Sequence, residues 1–257
     1  MVTILQIIFV LGLIVLIILF VFETRRIREF PPLPENFRET LGDYVLFYQQ
    51  LNEQGKKQFE ERVEHFLSSV QVTGVKAVVE DLDRILIAAG GIIPVFSFPD
   101  WQYVNLHEVL LYPGNFNEDF DQAGADRNVT GMVGTGGMQN MMIISKWQLR
   151  QGFINHSDTR NTAIHEFAHL IDKMDGTMDG VPEIILERKH VQRWKSLVNA
   201  TIQQMKTHGS DIDIYGATNP IEFFAVITEY FFQRPDLLKE NHPDIFEMLE
   251  MTYRTAN

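Results

Sequence analysis

The chain contains no cysteine among its 257 residues. This excludes a disulfide framework and any metal site built on thiolates, so a metal ion would have to be held by histidine and carboxylate side chains. Basic residues are also scarce: 22 Lys and Arg stand against 34 Asp and Glu, which gives a formal net charge of −12. Because an acidic protein repels a phosphate backbone and no basic stripe is evident, we do not expect nucleic acid as a partner.

One long apolar run stands at the N-terminus, where Val2–Phe22 contains no charged residue. About 20 apolar residues suffice to cross a bilayer, and this run lacks the basic start and the small-residue cleavage site of a signal peptide. We therefore expect a retained transmembrane anchor. The cations that flank it all follow it (Arg25, Arg26 and Arg28), and basic residues normally stay in the cytoplasm. The sequence thus predicts a single-pass protein of the inner membrane whose folded domain is cytoplasmic.

Beyond residue 35 the periodicity of apolar residues predicts an α+β domain. Residues 36–90 look helical, and strong helical patterns return at about 160–174, 183–207, 220–233 and 243–254. Short apolar runs at His107–Tyr112 and Met141–Ser145 suit buried strands. Gly131–Gly137 is rich in glycine but lacks the Lys-Ser/Thr of a phosphate-binding loop, so it predicts a mobile turn.

The strongest chemical signal is HExxH, formed by His165, Glu166 and His169 inside an amphipathic helical pattern. Histidines four residues apart lie on one face of a helix, so both imidazoles can reach one metal ion, while the glutamate can touch a metal-bound water. The alternative is a surface helix with incidental His and Glu. The bulky apolar residues around the motif, such as Ile164 and Phe167, favour burial and argue against that alternative.

A catalytic zinc site needs a third protein ligand, for which the local sequence leaves three candidates. Asn219 and Pro220 begin a later helix as N-cap and first residue, and Glu222 then lies in the first turn, either as a ligand or as the return half of a capping box. Glu229, two turns along the same face, is a ligand or a carboxylate that orients an imidazole. Asp172 is a ligand or a solvated charge.

Four segments together resemble the Mlc titration factor A family of bacterial zinc peptidases, distant relatives of the lethal-factor-like gluzincins. They are LHEVLLYP at Leu106–Pro113, IHEFAHLIDKMDG at Ile164–Gly176, DGVP at Asp179–Pro182 and YGATNPIEFFAVITEYFF at Tyr215–Phe232. The resemblance covers most of residues 50–255. It implies zinc as cofactor, a zincin-like fold and, as site residues, the ligands His165, His169 and Glu222, the general base Glu166 and the hydroxyl donor Tyr215.

The sequence and the resemblance together predict a transmembrane anchor over residues 1–24, a basic and proline-rich linker over 25–35, and a mainly helical zinc peptidase domain with a small sheet over 36–257. The expected partners are a peptide or protein substrate, the membrane and a regulatory protein, since the family's best-known member is soluble and binds a transcriptional repressor. If Met141–Ser145 forms the edge of the sheet, its main chain is placed to hold an extended peptide.

Two alternatives stay open: a membrane-tethered protein that sequesters a partner with vestigial hydrolysis, and a hydrolase of non-peptide bonds.

Overall fold

The computed structural model describes residues 30–124 and 126–254, which contain ten α-helices and a four-stranded sheet. The helices are α1 (Phe37–Tyr44), α2 (Leu46–Gln49), α3 (Glu53–Leu67), α4 (Asp81–Ile92), α5 (Lys146–Ile154), α6 (Thr162–Asp172), α7 (Val191–His208), α8 (Pro220–Gln233), α9 (Pro235–Asn241) and α10 (Pro243–Tyr253). The strands are β1 (Gln71–Gly74), β2 (Glu108–Tyr112), β3 (Gly131–Val133) and β4 (Met141–Ser145). The unit that begins at Leu33 is compact.

The sheet has the strand order β1-β2-β4-β3. β1, β2 and β4 run parallel, and β3 pairs antiparallel with β4. Since β4 has a partner on each side, Met141–Ser145 is not an edge, and the condition for it to hold a peptide is not met. The edge on that side is β3, a strand of three residues whose short length gave no periodic signal in the sequence.

Two apolar clusters form the core, and α6 contributes to both of them. Ile164, Phe167 and Leu170 pack with α1, α3, α4 and the sheet, whereas Ala168 packs with α7, α8 and α10. Because a helix turns 100° per residue, α6 can bury these two faces and still leave a third for its polar residues. The HExxH helix is therefore fixed on two sides by packing; replacing the fully buried Phe167 by Ala would cost about 3–5 kcal/mol.

The mainly helical α+β class with a small sheet is confirmed. The helices expected at about 160–174, 220–233 and 243–254 are present as α6, α8 and α10, while the helix expected from residue 183 begins only at Val191. The helical expectation for 36–90 missed β1, because four residues between two amphipathic helices carry too little periodicity to be recognised. The boundaries of the predicted linker and domain remain predictions.

The predicted membrane location requires a correction. Among residues 30–124 and 126–254, no helix combines the length and the apolar character that a bilayer span requires. α7 has 18 residues, but it carries three basic residues, Arg193, Lys195 and Lys206, beside an apolar stripe that covers only one of its faces. The predicted anchor Val2–Phe22 lies outside the described residues. The expectation of a single-pass inner-membrane protein with a cytoplasmic domain is contradicted by this finding and is withdrawn.

Candidate metal centre

The helix α6 begins at a buried polar cap. The Asn161 side chain accepts a hydrogen bond from Ile164 N at 3.2 Å and donates one to Gly152 O at 3.0 Å. An asparagine in this position satisfies an N–H group that the first helical turn otherwise leaves unpaired. The cap fixes where the helix starts, and with it the direction in which His165 and His169 leave the helix one turn apart.

Three potential ligand atoms converge between α6 and α8. His165 Nε2 lies 3.2 Å from His169 Nε2 and 3.2 Å from Glu222 Oε2, and His169 Nε2 lies 3.5 Å from the same oxygen. Glu222 reaches them from the first turn of α8, where its own N–H donates to the Asn219 side chain at 2.9 Å. Asn219 is thus the N-cap that the sequence predicts, and the Glu222 carboxylate extends toward the histidines.

The chemistry of these atoms suits a bound metal ion. His165 Nδ1 lies 2.7 Å from Glu229 Oε1, and because a carboxylate accepts, the proton of a neutral imidazole sits on Nδ1 and the lone pair of Nε2 faces the cluster. His169 Nδ1 is buried and has no hydrogen-bond partner among the described residues. Two imidazole nitrogens and one carboxylate oxygen, all within 4.8 Å of one another, form a set that a divalent cation can bridge.

The carboxylates around the cluster also favour a positive charge between the potential ligand atoms. Burial lowers the pKa of His165, but the carboxylates of Glu229 and Glu222 act more strongly and hold it well above its usual value. Burial raises the pKa of Glu222, but its hydrogen bonds with His165 and His169 outweigh burial and lower it overall. A proton or a metal ion between these groups would supply the charge they favour.

Glu229 contacts His165 at Nδ1, the ring nitrogen that faces away from the cluster, and is not one of the three converging ligand residues. One carboxylate oxygen contacts His165 Nδ1, and the other accepts a short hydrogen bond from Asn161 N. Burial raises the pKa of Glu229, and the neighbouring His165 partly offsets this. An acceptor on the far ring nitrogen fixes the tautomer and orientation of an imidazole, which is one of the two roles the sequence left open.

Glu166 lies beside the cluster with 3% of its surface exposed, and its Oε2 has no hydrogen-bond partner among the described residues. Burial raises its pKa, more than the two neighbouring histidines lower it. Sequence analysis missed Gly131 here. A Cβ at this position would lie 2.5 Å from Glu166 Oε1, so glycine leaves the space that the carboxylate occupies. The sequence predicted a mobile turn over Gly131–Gly137, whereas Gly131 begins the strand β3.

Comparison with known proteins supports a metal-dependent role. Residues 21–254 match the family described as glucose-regulated metallo-peptidase M90. The chain belongs to the M90 family. It is 32% identical over 242 residues to an uncharacterized protein of Synechocystis sp., which covers 86% of this chain and 84% of that one. It is 34% identical to Mlc titration factor A of Pectobacterium atrosepticum over 63% of this chain and 64% of the relative, and 32% identical to that of Yersinia pestis over 63% of each. The resemblance inferred from the motifs is confirmed, although the chain spans just under two thirds of the Mlc titration factor A relatives.

Tyr215 lies at the edge of the site of this M90 chain. Its ring centroid is 5.9 Å from that of His165, and 52% of its surface is exposed. Burial, with the charges of Glu222 and Glu166, raises the pKa of Tyr215 to about 12. Its hydroxyl therefore keeps its proton at neutral pH and can donate a hydrogen bond.

Asp172 is neither in the cluster nor a solvated charge. It is fully buried at the end of α6, where its Oδ2 accepts a hydrogen bond from Gly180 N at 2.9 Å. Burial raises the pKa of Asp172 to about 6.

The site opens into a cleft that continues beyond the metal-binding residues. A cavity of about 380 Å³ is lined by His165, Glu166 and Tyr215 together with residues of β3 and the loop before it. A second cavity of about 290 Å³, lined by the exposed Trp147, shares Gln148, Arg160 and Thr162 with the first. These shared lining residues place the two cavities side by side in the M90 domain.

Proposed function

We propose that the chain is a zinc-dependent peptidase in which His165, His169 and Glu222 hold the metal and Glu166 is the general base. The observation that carries this proposal is the convergence of two imidazole nitrogens and a carboxylate oxygen beside a buried glutamate. This donor set is typical of catalytic zinc, whereas structural zinc usually takes four protein ligands. Membership of a metallopeptidase family supports the same function.

The zinc ion, when bound, would act as a Lewis acid that makes a water molecule acidic near neutral pH and polarises the scissile carbonyl. Glu166, buried beside the cluster, accepts the proton of the attacking water on its carboxylate. Glu166 then passes that proton to the leaving nitrogen as the C–N bond breaks. The Tyr215 hydroxyl, which keeps its proton, donates a hydrogen bond to the oxyanion that forms at the carbonyl.

The surroundings of the site favour an extended polymer as substrate. β3 is an edge strand beside Glu166, and Thr130 O and Gly134 N bond to β4, so the alternate residues Gly131 and Val133 turn their main-chain groups away from β4. Free main-chain groups at a sheet edge can pair with a peptide in extended conformation. The neighbouring cavities supply room for substrate residues beyond the scissile bond.

A second candidate function is regulatory binding of a protein partner, with weak hydrolysis. It is favoured by the name of two relatives, Mlc titration factor A, which describes titration of Mlc by those proteins. The buried Glu166 favours hydrolysis, because a protein that only sequesters a partner has no need of a carboxylate without a hydrogen-bond partner beside its metal site.

The test is zinc content together with cleavage of a peptide library by the wild type and Glu166→Gln. We expect stoichiometric zinc in both proteins and cleavage by the wild type, with a loss of about 100- to 10,000-fold in the variant because the proton acceptor is gone. Glu118→Gln, the same change at an exposed position of the same cleft, is the control and should cleave normally. Equal cleavage by Glu166→Gln, or a zinc-loaded wild type that cleaves nothing, would contradict the proposal.

A further inference from the structure

Gly180 lies in the segment that connects α6 to α7, and buried side chains from both helices hold its main chain. Asp172, at the end of α6, accepts the Gly180 N–H at 2.9 Å. Trp194, on α7 and 1% exposed, donates its indole N–H to Gly180 O at 2.7 Å. Both the N–H and the C=O of Gly180 are therefore held by hydrogen bonds to buried side chains.

The third side of Gly180 faces the first turn of α8. Its φ is +80°, a conformation that favours glycine, and a Cβ would lie 2.3 Å from Pro220 O, 2.5 Å from Pro220 C and 2.9 Å from Ile221 N. These are main-chain atoms, which cannot move aside as the end of a flexible side chain can. Pro220 and Ile221 directly precede Glu222.

From this geometry we propose that Gly180 is a positioning residue for the metal site. Held by Asp172 and Trp194, it sets how closely the first turn of α8 approaches the end of α6, and so places Glu222 against His165 and His169. A metal site tolerates little displacement of a ligand. A change in the contact between Gly180 and the first turn of α8 should therefore lower metal affinity. The inference rests on the proposed function in one respect, that Glu222 is a zinc ligand.

The chain offers a matched control for the test. Gly176 also has a positive φ of +97°, but a Cβ there would have nothing within 4 Å. Gly176→Ala therefore measures the cost of left-handed backbone alone, and Gly180→Ala adds the clash with Pro220. We expect the zinc dissociation constant of full-length Gly180→Ala to be about ten- to a hundredfold above that of Gly176→Ala, measured by competition with a chelating dye while circular dichroism reports folded protein.

Two further measurements keep the inference testable if Gly180→Ala does not fold. Trp194→Phe keeps a smaller aromatic ring but removes the N–H that donates to Gly180 O, and should weaken zinc binding severalfold. In a Glu222→Gln background, Trp194→Phe or Gly180→Ala should have no further effect on zinc affinity, because both changes act on zinc through the position of Glu222. The inference would be overturned if Trp194→Phe and a folded Gly180→Ala bound zinc as tightly as Gly176→Ala does. It would also be overturned if either change weakened zinc binding as much in the Glu222→Gln background as in the wild type. Failure of the wild type to bind zinc would instead overturn the proposed function.

Discussion

Two clusters in the C-terminal half combine histidine with carboxylate, and they differ in how their polar atoms are satisfied. At the metal centre, His165, His169 and Glu222 direct potential ligand atoms at one another. In the second cluster, Asp211 accepts from Tyr230 Oη at 2.5 Å and from Asn241 Nδ2 at 2.7 Å, and its other oxygen lies 2.6 Å from His242 Nε2. We call this second group the Asp211 cluster.

This difference shows how a metal site can be distinguished from a structural hydrogen-bond network. In the Asp211 cluster one carboxylate meets four donor groups, since Ser210 Oγ also lies 3.4 Å from Asp211 Oδ1. The hydrogen bonds are therefore complete without any further group. At the metal centre, buried atoms of Glu166 and His169 have no partner among the described residues, and three potential ligand atoms face one another. Residue types alone do not separate these cases, whereas the pairing of donors with acceptors does.

The largest contrast should come from removing histidines at each cluster. We expect the double variant His165→Ala, His169→Ala to lose stoichiometric zinc, since one carboxylate cannot hold the ion alone. Zinc should also raise the thermal midpoint of the wild type but not of this variant, because a ligand that binds only the folded state stabilises it. Zinc content after dialysis against a mild chelator is the measurement.

His242→Ala is the control at the Asp211 cluster and should keep its zinc, at some cost in stability. If the double variant retained the metal while His242→Ala lost it, the assignment of the two clusters would be reversed.

The next contrast lies within α8, between Glu222 and Glu229. Glu222→Gln exchanges a charged ligand oxygen for a neutral amide, so zinc affinity and hydrolysis should both fall sharply while the fold survives. Glu229→Gln, seven residues along the same helix, leaves one acceptor oxygen for the two N–H groups of His165 and Asn161 and removes the charge behind His165, which should cost about ten- to a hundredfold. Zinc affinity, peptide hydrolysis and thermal midpoint of both variants decide the order. Full zinc and activity in Glu222→Gln, with loss of both in Glu229→Gln, would exchange the two roles.

The sequence predicted the features whose causes are local. Helical periodicity and the Asn219-Pro220 start located α6 and α8, and the four-residue spacing of His165 and His169 anticipated their contact. It did not predict contacts between different elements or loops, such as Gly131 with Glu166 or Asp172 with Gly180, because no periodic pattern encodes them. β1 and β3 were missed because three or four residues are too few for an alternating pattern to stand out.

The smallest effect is expected at the Asp211 cluster, where the change should alter stability and leave zinc affinity untouched. Burial raises the pKa of Asp211, but hydrogen bonds from Tyr230, His242 and Asn241 outweigh it and lower the pKa overall. Asp211→Asn should reduce the free energy of unfolding at pH 7 by about 1–2 kcal/mol, a modest value because the side chain is 38% exposed and solvent screens its interactions.

The pH dependence of that loss identifies its cause. A carboxylate whose pKa is lower in the folded than in the unfolded state stabilises the protein above the unfolded pKa, and this contribution disappears as the pH falls through the folded pKa. The unfolded value is about 3.9, so the gap in stability between wild type and Asp211→Asn should be complete at pH 7 and shrink below about pH 4. Urea unfolding of both metal-free proteins at pH 7 and at pH 3.5 measures the gap. Comparing the two proteins at each pH cancels the titration of the other carboxylates, which both share. A gap that stayed constant in acid would mean that shape and packing, not the charge of Asp211, stabilise the cluster. The Asp211 cluster would then differ from the charge-dependent metal centre in the origin of its stability as well as in its hydrogen bonding.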